Sequence, residues 1–156
     1  MPAPTGLIRQ FQSEDADSCC DLVCACLRTD PLMPPAVVER LLLEESPAAM
    51  RGRAALFYLA VCVVEGRIAG MAGIDMNEIR LLYVDPKFRG RGVGGALLAH
   101  VESMLPPALF ADVFVYSVPG AVGFYRAHGY KPGGEHRVDV DGAVMATIFM
   151  TKRLAG

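Results

Sequence analysis

Residues 84–98 read V-D-P-K-F-R-G-R-G-V-G-G-A-L-L, and this stretch holds the side chains whose spacing points most directly to chemistry. Lys87, Arg89 and Arg91 sit in a loop that leaves an apolar strand, and Gly90, Gly92, Gly94 and Gly95 lead into an amphipathic helix. Glycine carries no Cβ, so its backbone can come close to a ligand. The first N–H groups of a helix lack intrahelical partners, and the macrodipole adds positive potential there. Two arginines beside such an end supply charge-assisted bonds to phosphate. The chemistry expected here is capture of a phosphate or diphosphate.

Three nucleotide-binding patterns compete for this segment. A P-loop requires Gly-Lys-Ser/Thr, which the chain lacks. The dinucleotide fingerprint places its first glycine at the end of a strand, whereas five residues separate Val84 from Gly90. The third pattern fits: Arg89-x-x-Gly92-x-Gly94, following Leu-Tyr-Val-Asp-Pro, closely resembles the pyrophosphate-binding motif of the GNAT superfamily of N-acetyltransferases. A second segment, A-V-G-F-Y-R-A-H-G-Y at residues 121–130, resembles that family's A-x-x-F-Y-x-x-x-G-F/Y element. The resemblance extends over residues 56–151, with its specific motifs confined to 78–98 and 121–130.

The resemblance implies a GNAT fold: a single-domain α/β protein with a mixed, mostly antiparallel sheet of about seven strands, flanked by about four helices. At its centre, the strands at 78–84 and 109–116 would lie parallel and splay apart. Acetyl-CoA is implied as co-substrate, with no metal. Its pantetheine arm would pair with backbone groups of Leu82, Tyr83 and Val84, and its diphosphate would rest on Arg89, Gly90, Arg91, Gly92, Val93, Gly94 and Gly95. The Val84 N–H would stabilise the developing oxyanion. Many family members keep an asparagine at the position of Val118, where it bonds the pantetheine arm; valine cannot, and the neighbouring Ser117 is the candidate substitute.

The acceptor implied is a primary amine, on a small molecule or a peptide, attacking directly in a ternary complex. An amine with pKa near 10.4 leaves about one molecule in 2,500 unprotonated at pH 7. Glu78 matches the position of a family glutamate and would remove the ammonium proton through water, while its other reading is a solvent-facing strand-end acid. Tyr125 would protonate the departing thiolate. A nucleophilic role for Cys62 is disfavoured, since no histidine lies near it in sequence. A different class of function, a non-catalytic acyl-CoA sensor, needs the phosphate turn but neither Glu78 nor Tyr125. Family members often dimerise through their last strands, and a homodimer stays open here.

Stepping along the chain, Leu7–Phe11 reads as a strand, and Ser13 offers an N-cap to a helix reaching Arg28. Residues 36–45 form a second helix. Leu56–Glu65, Arg67–Ile74 and Glu78–Val84 read as strands, with Glu65-Gly66 turning the first hairpin. A helix over 92–105 follows, with Val93, Leu97, Leu98 and Val101 at helical spacing. Leu109–Tyr116 is a strand, Pro119–His128 a helix stopped by Gly129, and 131–139 and 143–151 a closing hairpin around a Val-Asp-Gly turn. The chain thus reads as one domain over 1–156, with 1–55 shaping the acceptor side and 56–151 forming the acyl-CoA-binding core.

Composition bounds the rest. The 156 residues are 53% hydrophobic and 21% charged, with a formal charge of −2 and no basic block, so no nucleic-acid or anionic-membrane surface is expected. The longest apolar run, 56–64, has nine residues, far short of the about 20 needed to span a bilayer. The first residues lack the pattern of a secretion signal, so a cytoplasmic location is expected. Cys19, Cys20, Cys24 and Cys26 crowd together, but no second pair or histidine cluster follows, and core packing is the reading preferred over a metal site. His100, His128 and His136 form no metal pattern, and His128 reads as a cation at a helix end.

Overall fold

Successive residues of the central strands enter two different cores. Leu59 and Val61 pack with Cys19, Val23, Cys26 and Met50, whereas Ala60 and Cys62 pack with Val93, Leu97, Leu98 and Val101. Both faces of the sheet are covered at this point, so the strand reads as an unbroken apolar run rather than an alternating one.

The computed structural model describes residues 6–154. Its strands are β1 (Leu7–Gln10), β2 (Tyr58–Val64), β3 (Arg67–Asp75), β4 (Glu78–Val84), β5 (Asp112–Ser117), β6 (Lys131–Val140) and β7 (Ala143–Arg153). Its helices are α1 (Ala16–Thr29), α2 (Pro35–Glu44), α3 (Pro47–Leu56), α4 (Val93–Ser103) and α5 (Val122–Ala127). The sheet order is β1-β2-β3-β4-β5-β7-β6, antiparallel throughout except for the parallel pair β4–β5. Helices α1 and α3 lie against one face, and α4 and α5 against the other.

The seven-strand mixed sheet agrees with expectation, but five helices replace the four expected. Helix α3 is the addition. Ser46 caps it, its Oγ accepting from the Ala49 N–H at 3.0 Å, and Pro47 occupies the first turn. Only Met50 of α3 is fully buried, so the helix leaves little apolar periodicity to read. Leu56 is its last residue and 80% exposed, and the following strand starts at Tyr58. Ser13 does not cap α1: its Oγ accepts from Arg51, and Asp15 instead reaches back to the Gln12 N–H at 2.8 Å. The segment starting at Pro119 opens as a 3₁₀ turn and becomes α-helical only at Val122. The hairpin turn Asp141-Gly142 takes φ of +51° and +87°, two consecutive positive values that match the strands' twist.

Two irregularities in the middle of the sheet create the site. Pairing of β3 with β4 shifts between Gly73 and Ile74, which face Leu81 and Ile79, leaving Arg80 as an extra residue. This bulge bends β4 and resets its alternation. Ile79, Leu82 and Val84 consequently join the α4 side, and Leu81 and Tyr83 the α1 side. β4 and β5 are paired only just before the bulge, at Glu78–Phe114 and Ile79–Val115. The strands then diverge.

Candidate active site

The divergence opens a cleft of about 770 Å³, walled by Arg80–Val84 on one side and Tyr116–Val118 on the other. The Asp85 N–H donates to the Ala69 carbonyl at 2.8 Å. By the alternation of an antiparallel ladder, the backbone groups of Leu82 and Val84 then face the cleft. The Val84 carbonyl is already engaged, accepting from the Cys26 thiol and from Arg89 Nε, both at 3.3 Å. The Val84 N–H and the Leu82 amide groups remain on the wall for a ligand.

The phosphate turn is built by short-range rules. Asp85 Oδ1 accepts the Lys87 N–H at 2.9 Å and holds the Pro86–Phe88 turn. Gly90 and Gly92 take φ of +75° and +82°, a region costly for other residues, and Gly92 is the N-cap of α4. Arg89 and the Gly92–Gly95 turn both line the cleft. Arg91 does not: it lies over the Phe88 ring at 5.2 Å and 3.5 Å from Glu65.

Gly94 and Gly95, which line the cleft, also meet a packing need. A Cβ on Gly94 would come within 3.1 Å of the Phe124 ring, and one on Gly95 within 2.7 Å of His128 Nε2. The missing side chains let α5 close on the first turn of α4. His128, read from sequence as a structural cation, lines the cleft. Its Nδ1 lies 2.9 Å from the Phe124 carbonyl, which can only accept, so Nδ1 carries the proton of that bond.

Tyr125 also lines the cleft and is buried between Phe124 and Tyr130, ring centroids 5.2 and 5.3 Å away. Burial, and then the neighbouring Tyr83, push its phenol well above the ordinary tyrosine value. It therefore holds its proton at neutral pH, as a donor must. Tyr83, on the same wall, is pushed up to about 12, by burial first and then by Glu45. Glu45 is itself clamped by Arg53 through two bonds of 2.7 and 2.8 Å.

Glu78 stands one residue before the strands part, outside the residues that line the cleft. Arg80 Nη1 lies 3.9 Å from its carboxylate and 3.5 Å from that of Asp75. Ser117 does line the cleft, with its Oγ–H donated to the Val118 carbonyl at 2.8 Å, so its hydroxyl meets a ligand only as an acceptor. An asparagine amide would offer both senses.

Three of the four crowded cysteines, Cys19, Cys20 and Cys26, are buried, and all five are free. Burial first, with Asp15 next, pushes the Cys19 thiol up to about 12, and burial with neighbouring Cys24 pushes Cys20 up to about 11. Among the described residues no group of three or more His, Cys, Asp or Glu side chains converges to hold a metal. Nor, among them, is any helix long and apolar enough to cross a membrane. Sequence reasoning did not place Cys26, Asp30 or His128 at the cleft. For His128 a signal existed: Phe124 and His128 are four apart on one helical face, opposite a pair of glycines.

Comparison with known proteins agrees with this fold. Residues 36–153 match the acetyltransferase (GNAT) domain family. The peptidyl-lysine N-acetyltransferase YjaB of Salmonella typhimurium is 40% identical over 58 residues, which covers 37% of this chain and 39% of that protein. The chain thus aligns with well under half the length of that curated relative. Among solved structures, a GCN5-related N-acetyltransferase from Rhodopseudomonas palustris superposes with a TM-score of 0.89 over 99% of both chains at 23% identity. The PaiA N-acetyltransferase from Thermoplasma acidophilum, solved in complex with coenzyme A, does so at 0.77 over 96% of this chain and 99% of its own, at 16% identity.

Proposed function

This chain belongs to the GNAT acetyltransferase family, and from that premise we propose that it transfers an acetyl or other short acyl group from acyl-coenzyme A to a primary amine. The observation that carries the proposal is the two-residue junction of β4 and β5, followed by a cleft with Arg89 and the glycine-capped start of α4 at its mouth. An acyl-pantetheine arm fits that opening as an extended segment, bonding the Leu82 amide groups and the Val84 N–H. The diphosphate then rests on the free N–H groups at the start of α4, with Arg89 swinging from the Val84 carbonyl to meet it.

In the reaction the neutral amine attacks the thioester carbon. The carbonyl oxygen takes up charge against the Val84 N–H. As the C–S bond breaks, Tyr125 gives its proton to the thiolate, and Glu78 receives the ammonium proton through water. Thiols near pKa 8.5 leave fairly well unassisted, so Tyr125 contributes rate rather than necessity. Residues 1–55 shape the acceptor side, with the loop after α1 contributing Asp30 and Leu32 to the cleft, and residues 56–151 form the acyl-CoA-binding core. Five unpaired cysteines suit a reducing, cytoplasmic setting. A purely sensing role has no need of a buried phenol on the cleft wall. Acetyl-CoA turnover, followed by thiol release across lysyl peptides and small primary amines, tests the proposal. Calorimetry showing no coenzyme A binding at millimolar concentration would end it.

A further inference from the structure

His128 is a half-buried imidazole with one nitrogen committed and one free. Nδ1 donates to the Phe124 carbonyl at 2.9 Å, and the ring packs tilted against Phe124 with centroids 4.5 Å apart. These two contacts fix the orientation of the ring, and they aim Nε2 at the first turn of α4. There it occupies the space where any residue other than glycine at 95 would place its Cβ, 2.7 Å away. The same imidazole lines the cleft beside Gly92, Gly94 and Gly95.

We infer that His128 is a coenzyme-positioning residue whose Nε2–H donates to a diphosphate oxygen held at the start of α4. The inference rests on the acyl-CoA reading above and adds a third donor to Arg89 and the helix N–H groups. With Nδ1–H kept on the Phe124 carbonyl, Nε2 is the ring nitrogen left to face the phosphoryl group. Gly95 is then the permissive partner of His128, and its own N–H bonds the same diphosphate.

Calorimetry with coenzyme A and with dephospho-coenzyme A, which keeps the diphosphate but lacks the 3′-phosphate, tests this. The unaltered chain must bind coenzyme A; failure there removes the acyl-CoA reading and this assignment with it. Given that binding, His128→Ala weakens both ligands by about tenfold or more, the worth of a hydrogen bond to a charged group. His128→Gln, which keeps a side-chain N–H, loses less. Gly95→Ala also weakens binding, because its methyl displaces the imidazole, and the double variant is no worse than His128→Ala alone. His128→Ala also loses the Phe124 bond and ring contact and so melts lower without ligand, and a native-like circular dichroism spectrum at the assay temperature separates that loss from the loss of affinity. Unchanged affinity in His128→Ala overturns the inference while leaving the acyl-CoA reading intact. So does a loss confined to coenzyme A, which would move the contact to the 3′-phosphate, or full additivity of the two substitutions.

Discussion

Replacing Gly94 by alanine sets two known effects against each other. Alanine is a better helix former than glycine by about 0.8–1 kcal/mol. Yet the new Cβ would lie 3.1 Å from Phe124 Cε1 and 3.4 Å from Val84 Cγ2. The Phe124 ring has little room to retreat, since Tyr125 and His128 lie against it at 5.2 and 4.5 Å. Overpacking of that kind costs about 1–3 kcal/mol. The balance is a loss near 1 kcal/mol, or about 2–4 °C in Tm for a domain of this size. Gly52 supplies the control. It lies inside α3, and nothing lies within 4 Å of where its Cβ would stand. Gly52→Ala therefore keeps the propensity gain and raises Tm by a similar amount. Thermal and urea melts of the two variants should move in opposite directions, and Phe124→Leu added to Gly94→Ala should restore part of the loss. If Gly94→Ala melted above the parent, the packing of α5 on α4 would have been misjudged.

Other outcomes follow from the same geometry. Tyr125→Phe should slow acyl transfer by about 10- to 100-fold with coenzyme affinity unchanged, and an unaltered rate would take the phenol out of the reaction. Asp15 accepts two bonds from Arg9, at 2.7 and 3.0 Å, and this pairing first, then the Gln12 N–H, holds its carboxyl below the usual value despite burial. A carboxyl with a depressed folded-state pKa contributes stability above its unfolded pKa, near 3.9, and loses it as pH falls further. Urea midpoints measured from pH 6 to pH 2.5 should therefore drop more steeply for the parent than for Asp15→Asn below about pH 4. Cys19 and Cys20, with thiols pushed up to about 12 and about 11, should resist a thiol reagent at pH 8 until urea is added. Rapid native labelling of Cys19, located by peptide mass, would contradict that.

Much of this was legible in the sequence because the residues involved dictate backbone or burial by themselves. Gly90 and Gly92 sit where φ is positive, and Asp85-Pro86 ends β4 through a side-chain bond to the next turn. Those local constraints survive any tertiary context. What was hidden depends on distant partners. Arg89 and Arg91 are two apart and look equivalent, but Phe88 and Glu65 draw Arg91 aside while Cys26 and Val84 hold Arg89 at the cleft. The packing role of Gly94 and Gly95 was hidden because α5 is some thirty residues away in the chain. Helix α3 escaped because a helix with one fully buried side chain shows no stripe, although Ser46-Pro47 announced its start. Glu78 was placed correctly on its strand, but whether it lines the cleft depends on where β4 and β5 part, which no local pattern betrays.

The short seam between β4 and β5 has a mechanical consequence. Two residue pairs join a four-stranded part of the sheet to a three-stranded part. On the α4 face a shared core runs beneath both, with Val113, Val115 and Met150 packed beside Leu97 and Leu98. On the α1 face, an exposed ion pair between Arg40 and Asp141 ties α2 to the far hairpin, and exposed pairs contribute little. The seam is thus the shortest ladder in the sheet. An amide-bearing ligand lying along β4 would add bonds where the ladder stops, so amide hydrogens on β4 and β5 should exchange more slowly once it is bound.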